Sequence, residues 1–298
     1  MNINHLNVKF GKFELLEKIG EGGFGEVHRG TYLGTEIAVK QMKVKRLKIV
    51  KQSLLKEVEI HSHIRHPNIV LLMGYSIEAD HLFILTELID GPNLGDVLFG
   101  EQGHTIKVEQ KHNIAKQVSQ AIAYLHNRNP AIIHRDIKPE NVLLSHNFEI
   151  AKVCDLGLSR LKTMNTMHST ILKKNEIQPG TPAYQAPEVL VNFEHAKSPA
   201  DIWSLCCLYV ELYTEEQVWD TNVCDQVEEL IDTITKKMVN KEPPQGLVRL
   251  DSSDSVPYVI KQFIRAGLHY DKASRPTALN ICCVLQEITK KTRNELDV

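Results

Sequence analysis

The 298-residue chain has no apolar run long enough to cross a bilayer as a helix, and its start, Met1-Asn-Ile-Asn-His5, lacks the basic and apolar regions of a secretory signal. A soluble protein of the cytoplasm, or alternatively the nucleus, is expected, without membrane insertion. Neither sign of charge is in excess: 35 Lys and Arg against 37 Asp and Glu leave a formal net charge of −2. No global field therefore favours nucleic acid or an anionic membrane as partner. The six cysteines, at 154, 206, 207, 224, 282 and 283, have neither the paired close spacing of a zinc site nor the density of a disulfide scaffold. Reduced thiols are expected, with Cys206-Cys207 and Cys282-Cys283 buried in apolar helical patterns. Repeats, low-complexity tracts and an appended domain are also lacking. What is present is 42% apolar composition, enough for a substantial core in one large or two smaller domains.

Chemistry-bearing residues are densest in Ile132-Ile-His-Arg-Asp-Ile-Lys-Pro-Glu-Asn-Val-Leu-Leu144, followed by Val153-Cys-Asp-Leu-Gly157. Asp136 and Lys138 lie two apart, so an orienting acid and a cation could face one reacting atom. Asn141 and Asp155 offer oxygen ligands suited to Mg²⁺. Any one of these alone reads as a solvated loop residue; together they point to metal-assisted phosphate chemistry. Near the amino terminus, Gly20-Glu-Gly-Gly-Phe-Gly-Glu-Val27 places glycines where a backbone could approach phosphates closely. A dinucleotide fingerprint would open into a helix, but Glu26 to Tyr32 continues as a strand to a Leu33-Gly34 turn, which favours a Gly-rich hairpin. In the next strand, Thr35 to Gln41, alternation puts Ala38 and Lys40 on one face.

The basic stretch Lys43 to Lys48 reads as a solvated connection before a helix from about Lys51 to Ile64. A strand over His81 to Ile89 leads into the turn-rich Asp90-Gly-Pro-Asn93. Helical periodicity then covers about Glu109 to Asn127, and Pro199 to Leu212 reads as a helix apolar around most of its surface.

His134-Arg-Asp136 with Lys138 and Asn141, then Asp155-Leu-Gly157, resemble the catalytic-loop and metal-binding signatures of the eukaryotic protein kinases. The remaining parts fall in order over about residues 13 to 290. The resemblance implies an α+β bilobal fold: an extension at 1–12, a small β-rich lobe at 13–88, a hinge at about 87–93, a larger mainly helical lobe at 94–290, and a frayed polar tail at 291–298. It implies ATP and Mg²⁺ as cofactors, with Mn²⁺ as a substitute. Gly20, Glu21, Gly22, Gly23, Phe24 and Gly25 would cover the phosphates, Val27, Ala38 and Leu143 would enclose adenine, and Lys40 would hold the α- and β-phosphates. Glu57 would pair with Lys40; Glu59, about 200° further round the helix, would face away. Thr86 stands at the gatekeeper position, the backbone of Glu87 and Ile89 at the adenine edge, and Asn93 at a ribose contact. Asp136 would orient the acceptor hydroxyl, Lys138 would stabilise the transferring phosphoryl group, and Asn141 and Asp155 would hold the metal.

The same resemblance assigns Thr181 to hydrogen bonds with Asp136 and Lys138, Asp201 to bracing the catalytic loop, and Arg275 to an ion pair with Glu188. It makes residues 155–188 an activation segment, with Ser159, Thr163, Thr166, Ser169 and Thr170 as candidate phosphosites, Arg135 as phosphate receiver and an upstream kinase as a further partner. His61 stands where the family usually has an apolar side chain, so its protonation is expected to weaken the active arrangement. Leu156 replaces the commoner Phe of the metal triplet. Arg65 to Tyr75 is similar to the tyrosine-kinase-like group, which includes Raf and the mixed-lineage kinases. The implied activity is transfer of the ATP γ-phosphoryl group to Ser or Thr hydroxyls of protein substrates. An interaction switch without catalysis, a dual-specificity or tyrosine kinase, and a small-metabolite kinase are the alternatives; Lys40, Asp136 and Asp155 oppose the first, and Lys138 with Thr181 oppose the second. Oligomeric state is not legible.

Overall fold

The computed structural model describes residues 3–22, 25–44, 47–101, 103–156, 180–220 and 227–296. Two compact units emerge. One holds the chain up to Asp90 and, of the described later residues, Cys154 to Leu156; the other holds Gly91–Val153 and the described residues from Gly180 onward.

The first unit is a five-stranded antiparallel sheet of β1 (Phe13–Gly22), β2 (Gly25–Tyr32), β3 (Thr35–Lys43), β4 (Leu72–Glu78) and β5 (His81–Glu87), in the order β1-β2-β3-β5-β4. Leu33 and Gly34 both take positive φ, +51° and +79°, the two-residue turn whose twist matches antiparallel strands. The period of two in β3 buries Ile37 and Val39 with Val8, Phe13, Phe83 and Leu85. Each such side chain contributes about 1.5–3 kcal/mol when fully buried. A second cluster joins Met42, Val44, Leu72, Tyr75, Leu82 and Ile84 to Val58 of α1 (Leu47–Ser62).

Three boundaries differ from the sequence expectation. Helix α1 begins at Leu47, inside the basic stretch expected to be a solvated connection, because neither Gly nor Pro occurs between Val44 and Pro67 to stop it. Strand β5 ends at Glu87 rather than Ile89. The extension before Phe13 is not a free polar arm: Val8 is 6% exposed and its amide donates to Tyr75 O at 2.8 Å.

The second unit is mainly helical: α2 (Leu94–Phe99), α3 (Val108–His126), α4 (Pro187–Leu190), α5 (Ser198–Thr214), α6 (Val227–Val239), α7 (Gln245–Ser252), α8 (Tyr258–Gly267) and α9 (Ala278–Leu296), with a two-stranded ribbon β6 (Val142–Leu144) and β7 (Ala151–Val153). Its centre is α5, whose Trp203, Leu205, Leu208 and Tyr209 are wholly buried. Tyr209 keeps its hydroxyl satisfied there, donating to Ala115 O on α3 at 2.8 Å and meeting Ser119 Oγ at 2.6 Å. Helix α8 approaches α5 so closely that a Cβ on Gly267 would lie 2.1 Å from Cys206 Sγ. The tail expectation is corrected, since α9 continues to Leu296, six residues past the expected end of the domain. Cys206, Cys207 and Cys282 are buried as expected, whereas Cys283 is exposed, its one-residue offset turning it to the outer face of α9. Cys224 lies outside the described residues. No described helix is long and apolar enough to cross a membrane.

Candidate active site

In the first unit the register assembles one face of the sheet. Ala38 pairs with Thr86, and Lys40 with Val27 on one side and Ile84 on the other. Residues directly opposite in an antiparallel pair share a face. Val27, Ala38, Lys40 and Thr86 therefore stand together, an apolar patch beside a cation. Lys40 Nζ lies 2.5 Å from Asp155 Oδ2, with both side chains largely shielded from solvent. Asp155 takes a φ of +60°, a left-handed conformation that Asp tolerates better than most residues. Leu156, 3% exposed, fills the middle of the metal triplet as a buried apolar residue. Glu57 is buried at 8% on α1 while Glu59 is partly exposed, the separation their rotation around the helix predicts. The buried ring of His61 hydrogen-bonds Val70 O through Nε2 at 3.1 Å, so this histidine is satisfied by the backbone.

The glycines of the hairpin divide into two kinds. Gly25, at φ +127°, is required by the sheet itself, because a Cβ there would sit 2.0 Å from Gln41 O. At Gly20 a Cβ would meet, among the described residues, Val27 Cβ at 3.9 Å, an ordinary contact, so described packing does not demand glycine there. Gly22 pairs with Gly25 at the hairpin end. Glu21 is held by Lys18 Nζ at 2.5 Å. Gly23 and Phe24 lie outside the described residues. Glu87 has its amide committed to Leu71 O at 3.0 Å, and Ile89 follows in irregular chain.

In the second unit the loop between Ile132 and Asn141 is fixed from beneath by Asp201, which is 1% exposed. Its Oδ2 accepts the His134 amide at 2.8 Å and meets His126 Nε2 at 2.8 Å, and its Oδ1 accepts the Arg135 amide at 2.9 Å. Burial raises the Asp201 carboxyl, but the His126 hydrogen bond, the nearby histidine charges and the Arg135 amide outweigh it and hold the group below the usual range. Thus clamped, Arg135 adopts φ +71° and Asp136 is presented at 4% exposure. Asp136 Oδ1 accepts from both Thr181 N, at 3.0 Å, and Thr181 Oγ1, at 2.9 Å. Asn141 Nδ2 donates to Asp136 O at 2.7 Å, which leaves its side-chain oxygen to meet a cation. Gly180 passes at φ +127° so close to the loop that a Cβ would lie 2.6 Å from Arg135 O. Lys138 is partly buried ahead of the short turn Pro139–Asn141, and Leu143 bridges Asn93 across the start of β6.

This constellation has a match among known proteins. The model of the protein kinase domain family matches residues 13–285. The chain belongs to the protein kinase domain family. Its relatives include a probable serine/threonine-protein kinase of Dictyostelium discoideum, 31% identical over 95% of this chain and 28% of the relative. Serine/threonine-protein kinase CTR1 of Arabidopsis thaliana is 36% identical over 72% of this chain and 25% of its own length. The probable serine/threonine-protein kinase SIS8 of the same plant is 34% identical over 92% of this chain and 25% of its own length. The chain thus spans about a quarter of the length of these curated relatives.

The kinase fold carries its expected structural pair: Arg275 Nη1 and Nη2 each donate to one oxygen of Glu188 at 2.8 Å. Asn93 has a role that its place in the sequence did not announce. Its Oδ1 caps α2 by accepting Asp96 N at 2.9 Å, and its Nδ2 donates to Asp96 Oδ2 at 2.6 Å, so both polar atoms are engaged at the helix start. The acid three residues after an Asn was the available signal. Two further residues were missed. His126 is the side-chain partner of Asp201, visible in sequence only as a basic residue ending α3. Glu211 lies 2% exposed on α5, accepting Tyr184 Oη at 2.8 Å and the Val218 amide at 3.0 Å. A second carboxylate, ten residues after Asp201 in a helix apolar on nearly every side, was its signal. The candidate phosphosites Ser159, Thr163, Thr166, Ser169 and Thr170 lie outside the described residues.

Proposed function

We propose that the chain is the catalytic domain of a serine/threonine protein kinase, transferring the γ-phosphoryl group of Mg²⁺-ATP to Ser or Thr hydroxyls of protein substrates. The observation that carries this reading is the Asp136–Thr181 geometry. One carboxylate oxygen is fixed by two donors of Thr181, and the other, which among the described residues has a 3.3 Å contact from Asn141, would orient and deprotonate an acceptor hydroxyl. Lys138 stabilises the charge of the group in flight. Lys40 holds the α- and β-phosphates and Glu57 keeps that lysine in place. Val27, Ala38, Thr86 and Leu143 receive adenine, with the Glu87 carbonyl and the Ile89 backbone at its edge, and the glycines from Gly20 cover the phosphates. Asn141 and Asp155 supply hard oxygen donors of the kind Mg²⁺ prefers, and the metal would neutralise phosphate charge there.

The reading extends to regulation: phosphorylation of the 155–188 segment by an activating kinase, received by Arg135, and membership of the tyrosine-kinase-like group supported by the Arg65–Tyr75 stretch. A cytoplasmic site of action is proposed on sequence grounds. The decisive experiment incubates the chain with labelled ATP, Mg²⁺ and a generic basic protein, compares it with Asp136→Asn, and identifies the labelled amino acid. Phosphoserine or phosphothreonine that disappears in the variant is expected. Phosphotyrosine would redirect the reading to a dual-specificity enzyme. ATP binding without transfer, even after treatment with an activating kinase, would replace the enzyme with an interaction switch.

A further inference from the structure

Residues 3–10 precede the stretch matched by the kinase family model, which begins at residue 13. They nonetheless lie along β4, the edge strand of the sheet. Asn7 makes a parallel bridge to Tyr75, and the Val8 amide donates to Tyr75 O at 2.8 Å. The approach is shaped by glycine: a Cβ on Gly74 would lie 2.8 Å from Val8 Cγ2 and 3.0 Å from Leu6 O. Phe10 then anchors the segment against Phe13 and Phe83, with ring centroids 5.8 and 5.2 Å away. Ahead of these points Ile3 and Leu6 pack on the cluster that contains Val58, with Leu55 of α1 packed against the same cluster. Val58 is the neighbour of Glu57. One short segment therefore closes an open sheet edge and also covers the apolar contact by which α1 is held.

We propose that residues 3–10 are a strap that positions α1, and with it Glu57, so that Ile3 and Leu6 are positioning residues of this chain. The proposal rests on the reading of Glu57 as the partner of Lys40. The physical ground is that Leu55 and Val58 of α1 meet the sheet in the same apolar cluster on which Ile3 and Leu6 of the strap pack, so the strap adds to the contact that holds the helix. Local opening of an element becomes easier as its buried contacts are removed, so losing the strap shifts α1 toward open states. A competing extended segment that displaced the strap from the β4 edge would act as an inhibitor by the same route.

The test uses the full chain with Ile3→Asp and Leu6→Asp together, alongside Gly74→Ala, which pushes the strap away without altering its own residues. Hydrogen exchange read by mass spectrometry should show lost protection over residues 55–62, with protection of β1 and β2 retained. Phosphoryl transfer should fall on the order of 10- to 100-fold, as displacement of a positioning element does. The conservative pair Ile3→Val and Leu6→Met should restore both readouts. Unchanged protection of α1 in both displaced variants overturns the proposal, as does equal loss across the whole sheet. If the unaltered chain transfers no phosphate, it is the enzymatic reading that fails, while the exchange result still decides whether the strap holds α1.

Discussion

Arg275 offers the most exacting test of the energetics of the helical unit. Its guanidinium spends five directions on the protein: two on Glu188, one on Pro199 O and one, through Nε, on His269 O, each at 2.8 Å, while its plane lies 5.2 Å from the centre of the Trp203 ring. Both charged partners are buried, Arg275 at 7% and Glu188 also at 7% exposure. Replacement by Ala would leave the Glu188 carboxylate without its counter-charge away from water and two carbonyls without their donor. Breaking one side of such a pair costs about 3–5 kcal/mol. For a unit of this size that corresponds to a fall in midpoint temperature of roughly 6–20 °C, at about 2–4 °C per kcal/mol. Arg275→Lys keeps the charge but not the fork, and should recover less than half of the loss. The assay is urea unfolding followed by tryptophan fluorescence. The chain has only two tryptophans, Trp203 and Trp219, both in the helical unit, so the signal reports on that unit. A loss below about 1 kcal/mol for Arg275→Ala, the range of an exposed pair, would refute the argument that burial gives this contact its weight.

Gly20 and Gly25 should separate ligand binding from folding. Gly20→Ala is expected to leave the thermal midpoint unchanged and to raise the KM for ATP, whereas Gly25→Ala should lower the midpoint through its clash with Gln41 O; calorimetry and steady-state kinetics on the same two variants check both. Burial raises the Glu211 carboxyl to about 7, against the opposing pull of the Val218 amide and the Tyr184 hydroxyl. The folded protein therefore binds this proton more tightly than the unfolded chain, so its contribution is fully present below the ordinary carboxylate range and is lost as pH rises through about 7. Urea midpoints measured from about pH 5 to about pH 8 should fall by this contribution, and Glu211→Gln should flatten the slope. Thr181→Val removes one of two donors to a catalytic carboxylate, a bond worth about 1.5–3 kcal/mol, and should lower kcat roughly 10- to 100-fold with little change in KM for ATP. Thr181→Ser should stay near the parent rate.

The motif residues were legible because each part needs a particular chemistry within a short span of chain. Asp136, Lys138 and Asn141 had to lie on one loop, and Ala38 and Lys40 on one strand face. The helix periods of α3 and α5 were also plain, since Ile114, Ala115, Val118, Ile122 and Leu125 recur with the turn and all are wholly buried. Chain ends were not, because they depend on what the terminal residues pack against. The segment before Phe13 reads as polar, yet the Val8 amide bonds Tyr75, more than sixty residues away in sequence, and its side chain is buried with Ile37, Val39, Phe83 and Leu85. Cys283 and Cys282 are indistinguishable in pattern, and only the docked face of α9 separates them.

Sequence by itself determined the chemistry: which acids, amides and cations this chain could bring to a phosphate, and the kinase family to which their order belongs. Tertiary structure alone decided which of those groups are held and by what. Asp201 reaches the His134–Arg135 loop from a helix more than sixty residues further along the chain and is met there by His126, Gly25 answers to a neighbouring strand, and Asn93 turns to its own helix. The reason is physical. A side chain's chemistry is local to its residue, but its burial, its hydrogen-bond partners and its charge state are set by atoms that only the folded chain brings near.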